Sequence, residues 1–386
     1  MTATRRKHWK LQCLAVLLFI ACALLLKRIH SSPSSRGGVH LEVSIARSQE
    51  DDAELRARII RLAEEAKSLD DAASVDIVHA GTNATYVLRT LARGEFIEAP
   101  DRWCSGKAGK PKKHVIPYLR TCFPEVLKLN KTRIRETLRL VRDKFRSAGI
   151  PTVITYGSLM GSLRYHRRMP FDCDYDLLVH QADRDRAMQA VLQLAQNPDN
   201  RMRIYDLQSM TGCVQIGLDC KPDTDWLKPE TWREFGSGVE FHKGIPVGRT
   251  WKAYPALMGE CAINLDIFVS THDDVVMERL EEYTPLYRPL EGTLVRVFEG
   301  GREYLENYYG SSLDVCIPKS PQSIRGVVHS LPKPCRRLQV PCDDLDVLYP
   351  RIVRFSSPDN ATIYEVGLEV DSGGRCWINS VFRSTS

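Results

Sequence analysis

No two of the 12 cysteines in this 386-residue sequence form a C-x-x-C pair, so a zinc site of the usual spacing is not expected. No internal repeat is visible, which removes the repeat architectures. A basic stripe with interleaved aromatics is also missing. The formal net charge is +6, and part of it sits in Arg5, Arg6, Lys7 and Lys10 and in Lys27 and Arg28. The rest of the chain is close to balance, so no nucleic-acid partner is expected. With 43% hydrophobic and 26% charged residues, a packed globular core is expected.

Long apolar runs are absent with one exception. Leu11 to Leu26 is apolar except for Gln12, enough for about 24 Å of helix at 1.5 Å per residue. That length suits the thinner membranes of the early secretory pathway, and Trp9 is placed as an interfacial anchor. The run ends in Lys27-Arg28 instead of a small-x-small cleavage pattern, which favours a retained anchor over a cleaved signal peptide. The basic cluster at the N-terminus favours a single-pass type II topology in a Golgi or ER membrane, with residues 1–10 cytoplasmic, 11–26 spanning and the catalytic part lumenal. Cys13 and Cys22 lie in the apolar run; the remaining cysteines are even in number, which fits disulfides in an oxidising lumen. Asn83, Asn130 and Asn360 head three N-glycosylation sequons in the same downstream part.

Residues 27–100 read as a linker and a helical stem. Ser31 to Gly38 has the composition of a flexible linker. Leu55, Ile59, Leu62, Ala66 and Leu69 then recur at alternating four- and three-residue steps. This seam serves equally for docking on the catalytic domain or for homodimerisation through the stem. Residues 101–386 form the catalytic domain. Ile134, Leu138, Val141 and Phe145 give a helix over Thr132–Ala148, stopped by Gly149. Strands are expected at Thr152–Tyr156, Asp172–Val179, Cys213–Leu218 and Cys261–Val269, and a helix at Ala182–Gln196. Alternating elements of this kind indicate an α/β or α+β domain.

Three features carry chemistry. In an extended strand Asp172, Asp174 and Asp176 project from one face, spaced by about 6.6 Å. Carboxylates this close repel unless a cation neutralises them, and oxygen ligands suit Mg²⁺ or Mn²⁺. Gly157-Ser158 follows a strand and opens a helix, where free N–H groups can meet a phosphate. Asp266 stands among apolar strand residues, Ile263 to Val269; an unpaired carboxylate there is expensive to bury, and a metal would explain it. An Asp-x-Asp strand about a dozen residues after Gly-Ser has the layout of a nucleotidyltransferase core.

The residues Gly157-Ser158-Leu159-Met160-Gly161-Ser162-Leu163-Arg164 and Met169-Pro170-Phe171-Asp172-Cys173-Asp174-Tyr175-Asp176 resemble, without a gap, the central motif of the LicD family. That group includes bacterial phosphocholine transferases and the animal fukutin-related proteins. Leu265-Asp266-Ile267-Phe268 and Tyr304 to Gly310 look like two later elements of the family, so the resemblance spans about residues 130–320. Phe171 stands where the family usually has Trp, Cys173 where many members have Asp, and Arg167 where Gly is common. The resemblance implies an α+β nucleotidyltransferase-fold core, a mixed sheet with flanking helices, behind the anchor and stem. It implies transfer of a phospho-alcohol, such as phosphocholine or ribitol phosphate, from a CDP-linked donor to a sugar hydroxyl on a glycan or glycoprotein, releasing CMP. Asp172, Asp174, Asp176 and Asp266 then hold Mg²⁺ or Mn²⁺, with Asp266 alternatively the base. Gly157, Ser158 and Gly161 cradle phosphate, Arg164 adds positive charge or partners the aspartates, and Arg167 contacts donor or acceptor. The competing reading is a Golgi glycosyltransferase using Asp172-Cys173-Asp174 as its metal motif with a nucleotide-sugar donor.

Overall fold

The computed structural model describes residues 49–66, 75–80, 84–104, 131–169, 172, 174–206, 213–222, 225–250, 253, 257, 261, 263–270, 285–309, 342–346 and 349–385. All belong to one compact unit, Ser48–Ser386. The apolar run at 11–26, Asn83, Asn130, Phe171 and Cys173 lie outside the described residues. Among the described residues no helix is long and apolar enough to cross a membrane.

The first elements among the described residues are α1 (Gln49–Glu65), the antiparallel pair β1 (Val75–Ala80) and β2 (Ala84–Thr90), and β3 (Ile97–Glu98). Ile59 and Ala63 of α1, with Ala66 just beyond it, are buried. Ile59 and Ala63 pack with Val366, Ile378 and Val381 from the far end of the chain. Of the two uses the periodicity left open for this seam, docking is the one seen. From Ser48 onward the expected stem is part of the same unit as the catalytic sheet.

Next come α2 (Lys131–Ser147), β4 (Thr152–Ile154), α3 (Tyr156–Tyr165), β5 (Asp174–His180) and α4 (Arg184–Ala195). Gly149 ends α2 in the left-handed region at φ 62°, where a side chain would be strained. Ile134, Leu138, Val141 and Phe145 are all buried along one stripe of α2, as their spacing requires. β6 (Arg203–Asp206), β7 (Cys213–Leu218), β8 (Val239–His242), β9 (Ile245–Gly248) and β10 (Ile263–Ser270) complete a seven-stranded mixed sheet of order β4-β5-β10-β7-β6-β9-β8. β5 and β10 are parallel, while β7 runs against β10. The fold is therefore α+β, a mixed sheet with flanking helices.

A hairpin of β11 (Leu286–Leu290) and β12 (Thr293–Val297) turns at Glu291-Gly292, both with positive φ, and leads to α5 (Gly301–Tyr309). The last strands are β13 (Val353–Ser356), β14 (Thr362–Val370) and β15 (Cys376–Thr385). They form a second, wholly antiparallel sheet with the first three, in order β1-β2-β15-β14-β13 with β3 on β15. A Cys104–Cys376 disulfide closes this sheet, and Cys220–Cys261 ties the end of β7 to the approach of β10. Fully buried Glu365 of β14 joins the second sheet to the β11–β12 hairpin and to the end of α3. It accepts from Arg288 at 2.7 and 3.0 Å, meets His166 Nε2 at 2.7 Å and pairs with Arg354.

Candidate active site

The acidic strand end is assembled by register. Asp266 of β10 lies directly opposite Asp176 of the parallel β5, and opposite Gln215 of the antiparallel β7. Alternation along β5 sends Tyr175 the other way, under the guanidinium of Arg168 at 5.8 Å. Asp172 precedes β5, and its N–H donates to Met169 O at 3.1 Å. One carboxylate oxygen from each of Asp172, Asp174 and Asp176 lies within 4.8 Å of the others. Asp172 and Asp174 are half-buried and Asp176 is buried.

The loop that delivers Asp172 is clamped from outside. Arg168 N–H donates to Glu291 Oε1 at 2.9 Å, Glu291 N–H donates to His166 O at 2.9 Å, and the Tyr349 hydroxyl donates to Arg168 O at 2.5 Å. The tip of the β11–β12 hairpin thereby fixes the strand entrance.

Gly157 and Ser158 meet the aspartates at the start of α3, though not as the free phosphate cradle expected from sequence. Ser158 N–H donates to Asp176 Oδ2 at 3.2 Å, and Gly157 N–H also serves that carboxylate. Asp176 N–H in turn donates to Ser158 Oγ at 2.7 Å. The helix start is thus used to hold a carboxylate, which the positive end of its dipole favours. Gly157 matters for a second reason: a Cβ there would overlap Asp172 Oδ2 and sit 3.4 Å from Asp176 Oδ2.

The other sequence-chosen residues lie apart. Gly161 faces backbone, and a Cβ on it would stand 2.5 Å from Arg167 O and 3.0 Å from Met169 N. It allows the loop to cross α3 closely and offers nothing to a phosphate. Arg164 is in the last turn of α3, about 10 Å along the axis from Gly157 at 1.5 Å per residue. Arg167 stacks on Tyr349, 3.6 Å from the ring centre, and donates to Leu368 O at 3.3 Å, so it braces the second sheet. Asn360 is exposed in the β13–β14 turn.

Arg168, which the sequence reading passed over, is the basic residue whose charge reaches Asp172. It is 3% exposed. Burial and the neighbouring Asp174 and Asp176 nevertheless push the Asp172 carboxyl well above its usual range. Burial, Asp174 and Asp266 do the same to Asp176, against the opposing pull of its two N–H donors. Asp266 is raised to about 8 by burial and by Asp174, with Gln215 opposing. Gln215 Nε2 holds Asp266 Oδ2 at 3.0 Å, while Asp266 Oδ1 is buried without a hydrogen-bond partner. An orphaned buried oxygen beside three crowded carboxylates fits a divalent cation, whose charge would offset part of their mutual repulsion.

A mixed sheet that gathers carboxylates at one strand end, beside a glycine-led helix start, is the arrangement of a nucleotidyltransferase-type domain. Residues 149–212 match the family model described as LicD/FKTN/FKRP, nucleotidyltransferase domain, which covers β4, α3 and the Asp172–Asp176 platform. The chain therefore carries a LicD-family domain, and its class is that of a transferase of this family. No curated protein gives a significant match over the chain.

Proposed function

We propose that the protein transfers a phospho-alcohol from a CDP-linked donor to a sugar hydroxyl on a glycan, releasing CMP. The observation that carries this reading is the convergence of Asp172, Asp174 and Asp176 within 4.8 Å, next to the start of α3. Mg²⁺ or Mn²⁺, when bound there, neutralises charge on the pyrophosphate and on the departing nucleotide. Asp172, Asp174 and Asp176 would hold the ion, and Asp266 would add an oxygen while Gln215 keeps its other one in place. Ser158 and Gly157 hold Asp176 at a fixed angle, so the platform is set before the donor arrives. Arg168 supplies the compensating charge beneath Asp172.

On this reading the site works in the Golgi lumen, with the apolar run Leu11–Leu26 as a retained anchor. Disulfides at Cys104–Cys376 and Cys220–Cys261 and the exposed sequon Asn360 support an oxidising, glycosylating compartment.

Purified protein with Mn²⁺ and a panel of CDP-linked donors is expected to release CMP only when a suitable glycan is added. Asp174→Asn is expected to abolish release while leaving the circular dichroism spectrum and melting temperature unchanged. Consumption of UDP- or GDP-sugars, with no response to any CDP-alcohol, overturns the donor assignment. Full activity in Asp174→Asn overturns the platform.

A further inference from the structure

Beside the acidic platform stands a wall of aromatic rings that the metal chemistry does not use. Tyr156 immediately precedes Gly157 and holds φ at 43°, a left-handed value that is unfavourable for a residue with a bulky side chain. Its ring lies 5.3 Å edge-on from Phe268 and 4.9 Å from Tyr308. Phe268 is two residues beyond Asp266 on β10, so strand alternation puts both on one face. On α5, Tyr304 stacks with Tyr308 at an interplanar angle of 17°, and Tyr308 meets Tyr309 edge-on at 4.8 Å.

Two details say what the wall is for. Tyr308 is 58% exposed, one of only four large hydrophobic residues exposed among the described residues. A ring held by three aromatic neighbours and yet open to solvent leaves a stacking face at the edge of the site. The Tyr304 hydroxyl, meanwhile, is engaged with Thr155 Oγ1 at 3.1 Å. A sugar ring would need polar side chains placed around such a platform to take its hydroxyls. A flat, uncharged heterocycle needs only the π-face.

We infer that the Tyr156–Phe268–Tyr308 wall is the nucleobase subsite, on which the base of a nucleoside diphosphate stacks against Tyr308 while its phosphates reach the aspartates. This rests on the proposed use of a nucleotide-linked donor and adds where the nucleoside lies. The strained Tyr156 couples the two halves of the site, because the next residue is the glycine that makes room for Asp172.

The test is Mn²⁺-dependent binding to the full-length protein, measured by calorimetry with CDP, UDP, GDP and inorganic pyrophosphate. Tyr308→Ala is expected to weaken the nucleoside diphosphate that binds best by about 5- to 100-fold, the usual effect of removing one base–aromatic stack. Pyrophosphate, which has no base, is expected to bind the variant as it binds the wild type. Tyr308→Phe, which keeps the ring, is expected to bind both as the wild type does. Unchanged nucleotide affinity in Tyr308→Ala overturns the inference, as does an equal loss for pyrophosphate and nucleotide. A raised KM for the glycan alone also overturns it and assigns the wall to the acceptor. Wild-type protein that binds pyrophosphate but no nucleoside diphosphate refutes the subsite while sparing the metal platform; binding of neither refutes the platform itself.

Discussion

Replacing Gly157 by alanine separates the construction of the site from the stability of the fold. The added methyl carbon overlaps Asp172 Oδ2, lies 3.2 Å from its Cγ and 3.4 Å from Asp176 Oδ2. Comfortable carbon contacts begin at about 3.5 Å, so the Asp172 carboxylate has to retreat by about 1 Å. One oxygen of that carboxylate is among the three that converge within 4.8 Å, and moving the group opens the platform on one side. A displacement of about 1 Å in a positioning group costs about 100-fold in rate. The fold has little reason to suffer. The clash is with the end of a half-buried side chain, and alanine is better than glycine in a helix by up to about 1 kcal/mol. We therefore expect Gly157→Ala to lose about 100-fold in Mn²⁺-dependent CMP release. Mn²⁺ affinity, read by electron paramagnetic resonance titration, should fall with it, while the metal-free melting temperature stays level or rises. Wild-type affinity and turnover in this variant would refute the claim that the glycine exists to admit Asp172.

Two further outcomes concern charges that the fold buries. Asp266 is raised to about 8 in the folded state, against about 3.9 in an unfolded chain, so the native protein binds the extra proton. Its destabilising effect is absent below about pH 4 and grows as pH rises toward 8. In EDTA-treated protein the urea midpoint should fall between pH 5 and 8, and less steeply in Asp266→Asn; parallel slopes would argue against the buried proton. Glu365→Ala strands Arg288 and His166 around a vacated charge site, and should cost about 3–5 kcal/mol in urea unfolding. A loss below that range would mean that Arg354, nearly half exposed, carries little of the pairing.

Where interactions are local, the sequence was a good guide. The burial stripe of α2, the stop at Gly149 and the bounds of β7 follow from spacing and from one backbone requirement. The one-sided projection of the aspartates is also a local fact, which parallel pairing with β10 extends to Asp266. The second sheet had no such signal, because β2 and β15 are far apart in sequence and neither shows the other's position. The place of the arginines was hidden for a related reason. Arg167 and Arg168 are adjacent in sequence, but only the packing of Tyr349 and Tyr175 decides which one reaches the platform. The Gly157-Ser158 pair was correctly located, yet the recipient of its N–H groups was a carboxylate of the protein itself.

The second sheet also ties the protein's maturation to β15. β15 is its central strand, with β2 on one side and β14 on the other. At about 5–20 residues per second, the roughly 285 residues that separate β2 from β15 take the ribosome about 15–60 s to add. During that interval β2 has an unpaired edge, and Cys104 waits for Cys376. A premature stop just before Cys376 would leave every platform aspartate in the chain. It would also leave the first and last segments of the sheet with nothing between them. β15 is the keystone of that sheet: β2 and β14 gain their shared partner only once it has been made.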